Sequence, residues 1–135
     1  MTISYRYRLT LVIAALTAAC TTPVSAQDAP QIKRSLLLQQ DMTLAGREAV
    51  VALIELPPGS AEGRHTHPAE LYVYLIEGEI VLETEGQPDR GMKAGEAAAV
   101  MPERVHQAIN RGGVTAKGVA VFVAEKDHAL TAPLP

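Results

Sequence analysis

From residue 33 to residue 126 the chain alternates between short apolar runs and turn-forming residues. The runs are SLLLQQ (Ser35 to Gln40), AVVALIEL (Ala49 to Leu56), LYVYLIE (Leu71 to Glu77), EIVLET (Glu79 to Thr84), AAAVM (Ala97 to Met101), VHQAIN (Val105 to Asn110) and TAKGVAVFVAE (Thr115 to Glu125). Their lengths and their β-branched or aromatic content favour strand over helix. Pro57-Pro58-Gly59, Glu77-Gly78, the stretch Gly86 to Gly91, Gly95 and Gly112-Gly113 supply the turns between them. Seven or eight strands without βαβ alternation predict an all-β fold, an antiparallel sandwich or small barrel. Only Gly95 to Val100 has a composition that also suits one helical turn.

Residues 1–26 follow a different pattern. Arg6 and Arg8 stand in an acid-free start, Leu9 to Cys20 is an uncharged, mainly apolar run, and Val24-Ser25-Ala26 presents small residues after Pro23. Twelve residues are too few to span a bilayer, which takes ~20, so the segment reads as a secretory signal peptide cut after Ala26. Residues 27–135 then form the mature single domain, periplasmic or secreted, with no transmembrane segment. The alternative is a lipoprotein anchored through Cys20.

Charge and cysteine content narrow the function. Fifteen acids exceed twelve Lys and Arg, there is no Trp, and Tyr and Phe together number only five. Neither a phosphate-tracking face nor a base-stacking platform is available, which excludes nucleic acid as a partner. Losing residues 1–26 removes two arginines and no acid, so the mature domain is acidic. Cys20 is the only cysteine, so that domain holds no disulfide. A domain this small then needs barrel closure, a metal or a partner copy for stability. A homodimer is expected, with Ser35–Gln40 and Ala49–Leu56 contributing.

Three of the four histidines are placed for chemistry. His65 and His67 stand at i and i+2, which in an extended strand aims both imidazoles to one side. His106 must join them from a distant strand. Asn110, four residues further at the same parity, is a candidate second-shell or substrate hydrogen-bonding group.

Here the sequence resembles the cupin family, whose first motif runs Gly, five residues, His-x-His, a short gap, Glu, six residues, Gly. Gly59, His65, His67 and Gly78 fall in register with it, and Gly95, His106 and Asn110 match the second motif. The resemblance covers about residues 33–126 and implies a double-stranded β-helix, a jelly-roll-like small barrel. The position of the family's glutamate ligand is Leu71, and the neighbouring Glu70 has the wrong parity unless Pro68 and Ala69 introduce a bulge. In the second motif the family's Pro-x-Gly turn is replaced by Met101-Pro102-Glu103.

The expected site is therefore one divalent transition metal on His65, His67 and His106, with Glu70 a conditional fourth ligand. Iron, manganese, nickel, copper and zinc all suit the donors, and spacing does not choose among them. Three neutral imidazoles leave the ion its full charge and open positions, which favours a small anionic or enolic substrate, and the cupin resemblance implies an oxygenase or decarboxylase type of reaction. The alternative is a barrel that binds a small ligand without turnover, with or without metal. Arg64 and Arg104 are placed to attract a carboxylate, and Glu103 or Glu70 to act as a base if buried. His128 reads as a solvated tail residue, Tyr72 and Tyr74 as packing against a neighbouring sheet or subunit, and Glu77, Glu79, Glu83 and Glu85 as an exposed strand face.

Overall fold

A computed structural model describes residues 30–134; the expected signal segment, its cleavage site and Cys20 lie outside the described residues. Ten strands follow in chain order: β1 (Lys33–Asp41), β2 (Arg47–Leu56), β3 (His65–Thr66), β4 (Ala69–Glu77), β5 (Glu79–Thr84), β6 (Arg90–Lys93), β7 (Ala97–Val100), β8 (His106–Ile109), β9 (Ala116–Glu125) and β10 (Ala132–Pro133). They form two antiparallel five-stranded sheets, ordered β1-β2-β9-β4-β7 and β10-β3-β8-β5-β6. The all-β expectation holds, and the ambiguous AAAV segment is strand β7. The GQPDRG region, read as turn alone, runs into β6, which pairs with β5.

Period-two burial fixes which face of each strand looks inward. On β9, Ala116, Ala120, Phe122 and Ala124 are buried while Lys117, Val119, Val121 and Val123 are half-buried on the outer face. The two sheets close over a core that includes Val50, Leu56, Leu75, Ile80, Leu82, Met92 and Val100. Several inward positions carry very small residues: Ala52 on β2, Ala108 on β8, and Gly118 and Ala120 on β9. Side chains that short cannot meet across the barrel, and the interior holds a cavity of about 630 Å³.

Two of the turns lead from the first sheet to the second in left-handed conformations. Gly78 joins β4 to β5 at φ +74°, and a Cβ there would lie 2.9 Å from the Cα of Ala116. Only glycine permits both the left-handed conformation and that approach. Glu103, where the cupin motif has glycine, takes φ 58° instead, and its N–H donates to the carbonyl of His67 at 2.8 Å. Glu103 thus holds a left-handed conformation that glycine adopts freely, at a cost of about 1 kcal/mol or more for a residue with a Cβ.

Candidate metal centre

Gly63, at φ +79°, turns the chain into β3, and its carbonyl accepts a hydrogen bond from His65 Nδ1 at 2.8 Å. His67 follows directly after β3, with Nδ1 donating to the carbonyl of Leu130 at 2.6 Å and Thr131 Oγ1 at 3.3 Å from the same nitrogen. Its ring is held edge-on against Phe122, with centroids 4.9 Å apart. His106 opens β8 opposite His65, and its Nδ1 donates to the carbonyl of Arg104 at 2.8 Å. The three rings lie 4.4 to 5.0 Å apart by centroid, and all three residues are buried.

A carbonyl oxygen can only accept, so each Nδ1 carries the proton and each neutral ring turns an Nε2 lone pair inward. The Nε2 atoms of His65 and His67 face each other at 3.1 Å, and that of His106 is buried with no hydrogen-bond partner. Two lone pairs at that distance repel unless something positive sits between them. A proton is a poor candidate: burial, reinforced by the neighbouring His65 and His106, lowers the pKa of His67 to about 4. Burial lowers His106 as well. Nitrogens bound ~2.0–2.1 Å from one ion lie no more than about 4.2 Å apart; the ligand atoms of the three histidines lie within 4.8 Å of one another, so a shift of about half an ångström brings all three into that range. The donor set and its backbone orientation therefore fit a transition metal.

The conditional fourth ligand does not join them. β4 pairs with β9 in unbroken register from Ala69 to Leu75, so no bulge follows Pro68. Glu70 is exposed and its carboxylate accepts the Tyr72 hydroxyl at 2.6 Å, while Leu71 turns inward and lines the cavity. Asn110 also departs from expectation. It is fully buried, but Nδ2 donates to the carbonyls of Leu56 and Val114, both at 2.8 Å, and Oδ1 accepts the Gly112 N–H at 2.8 Å. Its polar atoms are committed to tying two turns together, and four residues of strand put it ~13 Å along β8 from His106.

Among the other candidates, Arg64, Arg104, Glu103 and His128 are all exposed; of these Arg64 also lines the cavity and contacts Glu85 at 3.3 Å. The acidic stretch is an ion-paired surface: Glu77 meets Lys117, Glu83 meets Arg111 and Glu85 meets Arg64. A polar pair absent from the sequence reading lies beside the histidines. Glu62 lines the cavity, pairs with Arg34 at 3.1 Å and accepts the Ala108 N–H at 3.3 Å. Arg34, on β1 opposite Ile54, lines the cavity at its exposed rim, with its side chain about half open to solvent.

Comparison with known proteins agrees with this architecture. The family model for the cupin domain matches residues 52–122. Over 88 residues the chain is 36% identical to the tetracenomycin polyketide synthase protein TcmJ of Streptomyces glaucescens, covering 61% of this chain and 58% of that relative's length. A predicted oxalate decarboxylase from Thermotoga maritima superposes with a TM-score of 0.60 at 26% identity, over 69% of this chain and 80% of its own. The DMSP lyase DddQ from Ruegeria pomeroyi shares the fold at a TM-score of 0.59 and 19% identity, over 63% of this chain and 42% of its own. Two packed antiparallel sheets, a buried trio of histidines on β3, directly after it and on β8, and a family model spanning β2 to β9 lead to one conclusion: the chain belongs to the cupin family.

Proposed function

We propose that His65, His67 and His106 hold one divalent ion, iron, manganese, nickel, copper or zinc, and that the site carries out an oxygenase or decarboxylase type of reaction on an anionic or enolic small molecule. The observation that carries this reading is the convergence of three Nε2 lone pairs whose Nδ1 protons are all taken by backbone carbonyls. When bound, the ion would supply Lewis acidity toward a chelating oxygen pair. The chain's own residues orient and bury the three rings and set a guanidinium, Arg34, on the cavity wall, where it pairs with Glu62. The likeness to a predicted oxalate decarboxylase supports this type of chemistry.

Elemental analysis of purified protein tests the metal, and oxygen uptake with a panel of acids and phenols tests the reaction. About one equivalent of metal is expected, lost in His106→Ala. Retention of less than about a tenth of an equivalent after reconstitution with each of the five metals and desalting refutes the reading.

A second reading is binding without turnover. It is favoured by Leu71 at the carboxylate position and by the pairing of Glu62 with Arg34, which leaves that acid engaged. Stoichiometric ligand binding with no oxygen uptake and no product would establish it.

Export and self-association complete the proposal. Cleavage after Ala26 gives a mature chain starting at Gln27, and N-terminal sequencing checks it; a lipid-modified Cys20 would replace the soluble form. The outer face of the first sheet supports a homodimer, because Leu38, Val51, Val121, Tyr72 and Ala99 stand in one cross-strand row over all five strands. Leu38, Tyr72 and Tyr74 are exposed on the described surface. Light scattering that returns a monomer mass at low micromolar concentration would overturn the dimer.

A further inference from the structure

The cavity is larger and more apolar than a short, highly polar substrate requires. Its volume of about 630 Å³ falls within the ~300–1,000 Å³ of sites that hold drug-sized ligands. Its polar lining is gathered on one side. Glu62 and Arg64 flank the His65 turn, Arg34 bonds Glu62, and Thr131 lies beside His67. The remaining wall is almost all hydrocarbon, from Val50 and Ile54 on β2 through Leu71 on β4, Ile80 on β5 and Met92 on β6 to Phe122 on β9.

Such a wall offers a carboxylate nothing to replace its hydration, so a diacid of two carbons would leave most of the space unmatched and lose solvation at its far end. A molecule with one oxygen-bearing edge and an apolar body meets both halves. The oxygens face the histidines and Arg34, and the carbon body fills the volume that Ala52, Ala108, Gly118 and Ala120 leave open. We infer that the site takes an apolar enol or phenol of bicyclic size and discriminates against short diacids such as oxalate. The assignment of the oxygen edge rests on the metal reading above; that of the apolar body rests on the cavity alone.

Equilibrium dialysis of the full chain, metal-loaded and metal-free, against hydroxynaphthoquinone and against oxalate tests the inference. Hydroxynaphthoquinone is expected to bind the loaded protein at least about tenfold more tightly than oxalate, because its rings bury apolar surface that oxalate lacks. Part of that affinity should persist without metal. Ala120 faces Ala52 and Val73 across the first sheet, so Ala120→Phe fills the cavity and should weaken hydroxynaphthoquinone about tenfold or more with metal content unchanged. Ala120→Val, a smaller intrusion, gives a graded loss and covers the case in which the Phe variant does not fold. Oxalate binding as tightly as hydroxynaphthoquinone, or affinity indifferent to Ala120→Val and Ala120→Phe, overturns the inference and leaves the metal reading intact. Protein that holds no metal yet binds hydroxynaphthoquinone in an Ala120-dependent way upholds the apolar assignment while the metal reading fails.

Discussion

Replacing Asn110 by Ala separates a structural role from a role at the histidines. The truncation removes two donors and one acceptor at a fully buried position, leaving the Leu56 and Val114 carbonyls and the Gly112 N–H without their partner. Leu56 is itself buried, so its carbonyl loses its side-chain donor at about 1–3 kcal/mol. Val114 is exposed and Gly112 half-buried, so water can partly compensate them, at about 0.5–1.5 kcal/mol each. The backbone of Asn110 also bonds Gly59 and Ser60, so the loosened side chain disturbs the Pro57–Ser60 turn as well. The sum is about 2–6 kcal/mol, or a fall in Tm of roughly 10–30 °C for a domain of this size. Urea denaturation and a thermal melt measure it, and metal analysis of the folded fraction completes the assay. Folded Asn110→Ala should hold as much metal as wild type. A variant within about 1 kcal/mol of wild type that has lost its metal would refute the reasoning and return Asn110 to the site.

Gly78→Ala should be strongly destabilising, by about 3 kcal/mol or more, because the new Cβ meets backbone at 2.9 Å in a left-handed residue, and a denaturation curve reads this directly. Glu103→Gly should go the other way, gaining up to about 1 kcal/mol by relieving φ 58°, with a melt shifted up by a few degrees. In metal-free protein, His67 is lowered from 6.5 to about 4 and His106 is also lowered, chiefly by burial, so the unfolded chain binds protons first. Stability should therefore be intact above pH 6.5 and fall below it, for His67 by up to about 1.4 kcal/mol per pH unit down to about pH 4, with His106 acting in the same direction; urea midpoints below pH 6.5 check the sign. Glu70→Ala should leave metal content unchanged and lower the pKa of Tyr72, now raised by its hydrogen bond to Glu70, as an ultraviolet titration of the phenolate would show.

Strand parity accounts for most of what the sequence disclosed. It placed His65 and His67 on one side, pointed Leu71 inward and Glu70 outward, and required a bulge for any other outcome; the regular β4–β9 register removes the bulge. Parity also put Asn110 on the inward side, correctly, but says nothing of distance along the strand or of which turn lies beneath it. β3, β6 and β10 left weak traces because two of them are two residues long and the other, RGMK, has no β-branched or aromatic residue. The Arg34–Glu62 pair joins residues 28 apart through space, and no periodicity encodes such a contact. The cavity was written as alanines and a glycine at inward positions, a pattern that composition blurs because small residues count as apolar whether or not they fill the space they face.

The carbonyl that orients His67 belongs to Leu130, 63 positions later in the chain. At a synthesis rate of roughly 5–20 residues per second, a ribosome needs about 3–13 s to progress from the one residue to the other. During that interval the His-x-His segment exists with its second ring free to rotate and with β10 not yet laid beside β3. A nascent or unfolded chain thus offers an ion two loosely held imidazoles, and the third donor and the fixed tautomers come only with the closed barrel. If the three histidines take a metal as proposed, its loading would be a late event in the protein's life. The metals at hand where the barrel closes, weighted by their intrinsic preference for nitrogen donors, would then decide what the site receives.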